Sequence, residues 1–145
     1  MVCTFFGHHD CYDLDSGTLR KAIEELILEG VEEFLVGDKG MFDSMVQSCL
    51  RSLRVQYPHI RYQVVLAYLP TKKQPYDDFS NTLYPEGLET VHPKYAIEYR
   101  NKWMLAQAGC CICYINQTWG GAYKFVRMAH CKGLEVHNLG TAKEI

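Results

Sequence analysis

The chain lacks long apolar runs: none approaches the ~20 residues that a membrane helix needs. It also lacks blocks of one charge. Basic residues do not run beyond doublets such as Lys72-Lys73, and the formal net charge is −2. A footprint along duplex nucleic acid is therefore not expected. Paired CxxC spacings of the zinc-site kind are missing, which leaves no metal centre to expect. Internal repeats and low-complexity tracts are missing too. The opening residues, Met-Val-Cys-Thr-Phe-Phe, have neither a positive n-region nor a cleavage site, so no signal peptide is expected.

What is present is an ordinary globular composition. The 145 residues are 48% hydrophobic and 22% charged, enough for one domain with a sizeable core. The seven cysteines are an odd set. Cys110, Cys111 and Cys113 sit inside an apolar run, where cysteine behaves as a small hydrophobe. Reduced thiols and a cytoplasmic location are the expectation.

Apolar runs alternate with helical periods. Val2–Phe6 reads as a strand ending at Gly7. Asp15 and Ser16 offer caps for a helix with an inner stripe of Leu19, Ala22, Ile23, Leu26 and Ile27, stopped by Gly30. Phe34–Val36 reads as the second strand. Phe42, Met45, Val46, Cys49, Leu50 and Leu53 share one face of the next helix, which Pro58 ends. Gln63–Leu69 is the third strand. Residues 71–93 read as a long loop insertion, with prolines and the aromatics Tyr76, Phe79 and Tyr84; a loop of this length serves as a lid, a binding loop or a partner contact. Lys94–Ala108 follows as a helix and Cys110–Ile115 as a strand. Gly120-Gly121 then opens a helix with Ala122, Phe125, Val126 and Ala129 inside, and Leu134–Leu139 is the last strand. Five strands alternating with four helices imply a Rossmann-like α/β fold, a three-layer sandwich around a parallel sheet. The glycines at the strand ends put a nucleotide-type pocket at the carboxyl edge of that sheet.

The segments Phe5-Phe6-Gly7-His8, Val36-Gly37-x-x-Gly40-x-Phe42-Asp43, Tyr84-Pro85-Glu86-Gly87-Leu88-Glu89, Arg100-Asn101-x-Trp103-Met104 and Trp119-Gly120-Gly121-Ala122 resemble the SLOG superfamily. That group includes the DprA-like and Lonely Guy-like Rossmannoid proteins. The likeness runs from Thr4 to Leu139 and is greatest to small bacterial members of the DUF1273-like kind. It implies one SLOG-type domain over residues 1–145, a five-stranded sheet of order 3-2-1-4-5, and a bound nucleotide or nucleotide-derived signal. In the Lonely Guy branch the glycine pair leads to a catalytic glutamate. Here that position is Arg127, so cleavage of nucleoside monophosphates is not expected.

Each candidate residue has a second, structural meaning. Gly120 and Gly121 suit a phosphate on backbone N–H groups at a helix start, or simply a tight turn. Asp43 suits ribose hydroxyls, or a favourable helix N-terminus. Arg100 and Asn101 suit a phosphate or carboxylate, or a salt bridge. Of His8 and His9, which point opposite ways on extended chain, one faces a ligand. Trp119 and Tyr123 suit stacking on a base or a subunit contact. The resulting expectation is a binding protein without cofactor or metal: a stand-alone sensor, carrier or sequestering protein, and a homodimer or higher oligomer. Its site is Gly7, His8, Gly37, Gly40, Asp43, Arg100, Asn101, Trp119, Gly120 and Gly121. A hydrolase using Asp43 or His8 as acid–base, and an oligomeric interaction module without ligand, are the alternatives.

Overall fold

The computed structural model describes residues 1–69 and 81–143. Six strands form one all-parallel sheet: β1 (Val2–Gly7), β2 (Glu33–Val36), β3 (Arg61–Val65), β4 (Thr82–Leu83), β5 (Cys110–Tyr114) and β6 (Glu135–Asn138). Four helices flank it: α1 (Ser16–Leu28), α2 (Gly40–Gln56), α3 (Ala96–Gln107) and α4 (Gly121–Cys131). The strand order is β4-β3-β2-β1-β5-β6. This corrects the expected five strands in the order 3-2-1-4-5. The added strand is β4, Thr82–Leu83, inside the stretch read as loop. Two residues carry no period, and only pairing with Val64 and Val65 makes them a strand.

The layers follow from alternation along the strands. Phe5, Cys110, Ile112 and Tyr114 face a core shared with Leu19 and Ile23 of α1 and with Phe42 and Val46 of α2. Phe6, Cys111, Cys113 and Ile115 face the other core, with Met104 and Leu105 of α3 and Phe125 and Val126 of α4. All five residues of β5 are buried, as expected of a strand covered on both faces. Thr4 is fully buried, and its hydroxyl donates to the Leu35 carbonyl at 3.1 Å across β1 and β2.

The third strand is shorter than the apolar run Gln63–Leu69 suggests. Beyond Val65 the backbone bends, and the Val65 carbonyl accepts from Arg100 Nη1 at 2.8 Å. The insertion read at 71–93 is only partly loop. Beyond β4 it holds single 3-10 turns at Leu88–Thr90 and Pro93–Tyr95, and Leu88 is buried. Its Tyr76 and Phe79, like Lys72-Lys73, lie outside the described residues. Among the described residues no helix is long and apolar enough to cross a membrane, and no three His, Cys, Asp or Glu side chains group as metal ligands.

Candidate functional site

The chain leaves β1 toward β2 on one side of the sheet, whereas β5 and β6 lie on the other. Strand β1 beside β5 is thus where the order reverses, the usual place for a crevice outside the carboxyl ends of an open sheet. Local bonds fix the loops there. His8 N–H donates to the Tyr114 carbonyl at 3.2 Å, and the Met41 N–H donates to the His9 carbonyl at 2.8 Å. The loop after β1 is therefore tied to β5 on one side and to the start of α2 on the other.

Two adjoining cavities open at this edge, of about 400 and 550 Å³. They share Gly7, His9, Gly121 and Ala122. The first also receives Lys39, Asp43, Arg100, Asn101 and Lys124. The second receives His8, Asn116 and Gly120. Together they have the size of a small-ligand site. Another hollow, of about 390 Å³, lies at the opposite edge between Leu35, Arg61 and Trp103. It is floored by the starts of β2 and β3, away from the carboxyl ends.

Helix α4 begins at the double cavity. Gly120 precedes it with φ 99° and ψ 173°, and no side chain caps the helix. Its first N–H groups thus carry the partial positive charge of a helix start without a side-chain acceptor. A Cβ on Gly121 would meet nothing within 4 Å. Lys124, one turn on, binds Glu98 of α3 at 2.6 Å.

Arg100 is a buried cation at the floor of this cleft. Its guanidinium Nη1 reaches Asp38 Oδ1 at 3.1 Å and the Val65 carbonyl at 2.8 Å, while Nε donates to Asn101 Oδ1 at 2.8 Å. The Arg100 and Asp38 side chains are each 3% exposed. Lys39 approaches Asp38 as well, at 3.9 Å. Asp43 lies in the first turn of α2, where its Oδ2 accepts from the Lys39 backbone N–H at 3.1 Å. Burial pushes its carboxyl up to about 6, against the opposing pull of the Arg100 charge and the Lys39 N–H. His8 Nε2 accepts from the Asn116 backbone N–H at 2.9 Å, which leaves the ring proton on Nδ1. Burial lowers the His8 pKa, so the ring is held neutral by both.

No family model matches the chain, and no curated protein matches it.

Of the residues singled out in the sequence, Gly7, His8, Asp43, Arg100, Asn101, Gly120 and Gly121 line the double cavity. Gly37, Gly40 and Trp119 do not. Gly37 lies behind the site, where a Cβ would come within 2.6 Å of Asp43 Oδ2 and 2.8 Å of Arg100 Nη1. Gly40 supplies a left-handed turn, φ 91°, against the His9 backbone. Trp119 is 65% exposed. Glycine is needed at position 7 for packing, since a Cβ there would overlap the Phe42 ring. The sequence reading missed Asp38, Lys39, Glu98 and Lys124. Asp38 and Lys39 sit between two glycines already singled out, and Lys124 is one turn from the glycine pair. Both positions were legible as charges placed by glycine turns.

Proposed function

We propose that the protein binds a nucleotide or nucleotide-derived small molecule, phosphate first, in the cleft between Gly7 and the start of α4. One observation carries this reading. The uncapped, glycine-opened start of α4 faces the same space as Lys39 and Lys124, at the point where the strand order reverses. Backbone N–H groups and a helix dipole stabilise a phosphate there, and the open space at Gly121 leaves room for it. The likeness to SLOG proteins points the same way. On this reading the protein is a sensor, carrier or sequestering protein.

A thermal-shift screen of nucleoside monophosphates, ADP-ribose, NAD and cyclic nucleotides tests it. A ligand at about 100 times its Kd adds about 2.7 kcal/mol of stability. No shift with any of them, at millimolar concentration, would remove the reading.

A hydrolase is the second reading, and Asp43 favours it. A cleft carboxyl titrating at about 6 is poised to give and take a proton near neutrality. Release of base or ribose phosphate from the same compounds, lost in Asp43→Asn, would select it. Arg127, in the place of the Lonely Guy glutamate, lies exposed on α4 and lines neither cavity.

Self-association belongs to the same proposal. Tyr68, Leu69, Tyr95 and Ile97 are exposed, Ile97 at the cleft itself, and apolar groups of this size suit a subunit contact. Light scattering showing a monomer up to millimolar concentration would remove it.

A further inference from the structure

The ionic groups under the cleft do not balance. Asp38 makes the close ion pairs, with Arg100 at 3.1 Å and Lys39 at 3.9 Å. Asp43 has one backbone N–H, and its second oxygen takes no hydrogen bond among the described residues. Two carboxylates therefore share one buried guanidinium, and the Asp43 carboxyl lines the cavity that α4 opens onto. An anion placed there adds a further negative charge to the same enclosed space. Coulomb repulsion at several ångströms is worth kcal/mol in such surroundings. The cheapest relief is a proton on Asp43, which feels the Arg100 charge but has no cation within ion-pair distance among the described residues.

We infer that Asp43 makes ligand binding proton-linked: an anion enters the cleft together with one proton taken up by Asp43. The inference rests on the anion-binding reading above. Linkage then fixes the sign. Free Asp43 titrates at about 6, and a neighbouring anion moves it higher. Below pH 6 the carboxyl already carries its proton and affinity is flat. Above it, each bound anion must bring a proton, and affinity falls by up to about tenfold per pH unit.

The other charged or titratable groups facing Asp43 do not supply this profile. From the β1 loop come His8, His9, Asp10 and Cys11. His8 is held neutral by its bond from Asn116. Burial raises Cys11, which stays a thiol. Asp38, Lys39 and Arg100 act on it from the β2 loop and α3, and Glu98 and Lys124 line the same cavity from α3 and α4. His9 stands exposed on the rim of the same cavity, and a variant separates its contribution from that of Asp43.

The test is calorimetry with ADP-ribose, whose diphosphate diester keeps its charge across the neutral range, from pH 5 to 9. Buffers of unlike ionisation heat report proton uptake directly. The inference expects uptake approaching one proton near pH 7. It also expects loss of affinity above pH 6 in the natural protein and in His9→Gln, and neither effect in Asp43→Asn. In parallel, carbon NMR of the carboxyls should show Asp43 titrating near 6 in the free protein and higher with ADP-ribose bound. Binding with no proton uptake would overturn the proton linkage and leave the binding reading intact. So would a slope that His9→Gln abolishes. Absence of binding at every pH, for ADP-ribose and for every other compound of the thermal-shift screen, would overturn both.

Discussion

Arg100 shows how one side chain can line a cleft and hold the fold at once. It links the end of β3, the loop after β2 and its own helix through Val65, Asp38 and Asn101. Removing it would leave Asp38 buried with only the more distant Lys39. Breaking one partner of a buried pair costs about 3–5 kcal/mol, so Arg100→Met should lower the urea-unfolding free energy by that order. A loss under about 1 kcal/mol, the range of exposed pairs, would show that the pair holds nothing. Asp43 has the opposite sign. Its folded pKa is raised, from 3.8 to about 6. The native state therefore holds the proton more tightly, and stability from this group is full below pH 4 and lost as pH rises through 6. A rise from 3.8 to about 6 corresponds to about 3 kcal/mol. Asp43→Asn should thus gain stability over the natural protein by up to that amount at pH 8, with the difference shrinking toward pH 4. Unfolding curves at both pH values check it, and an equal difference at both would contradict the assignment.

At the scale of elements, the start of α4 separates two glycines that look alike in sequence. Gly120 adopts φ 99° and ψ 173°, a region essentially closed to other residues. Gly120→Ala should cost about 1–3 kcal/mol, read as a lowered Tm. Gly121 has no left-handed φ and no atoms near its missing Cβ. Gly121→Val should fold with circular dichroism like the natural protein and lose ligand binding, because the side chain fills the phosphate's space. A Gly121→Val protein that binds normally would move the site away from α4. The first helix is simpler: Asp15 Oδ2 accepts the Thr18 N–H at 3.2 Å and fixes where α1 begins.

For the whole molecule, the cysteines report on cooperative unfolding. Six of the seven are buried, on both faces of the sheet or under α1 and α2, and only Cys131 is exposed. Burial pushes Cys3 and Cys49 up, which further slows reaction of their thiols. An excess of a thiol reagent at neutral pH should label one cysteine quickly and the other six only at the rate of global opening. Mass spectrometry after brief labelling should place that single modification on Cys131. Fast labelling of Cys110 or Cys113 would mean that β5 opens on its own.

The alternation of strands and helices and the inward stripes of α1, α2 and α4 are legible along the chain, because burial imposes periods of two and of 3.6 that a linear text displays. Leu19, Ile23, Phe42, Val46, Phe125 and Val126 are buried as those stripes require. The glycines at the strand ends also marked the edge where the cavities lie. Tertiary structure alone decided three things. It made Thr82–Leu83 a strand, since two residues become one only by pairing with β3. It turned Arg100 inward, although the spacing of Ala96, Arg100 and Met104 along one face of α3 held a trace of it, because burying a guanidinium needs acceptors from β3 and the β2 loop. And it gave Asp38 and Asp43, five positions apart, unlike environments: one beside the buried cation, the other facing the cleft, a distinction set by distances through space that spacing along the chain does not contain.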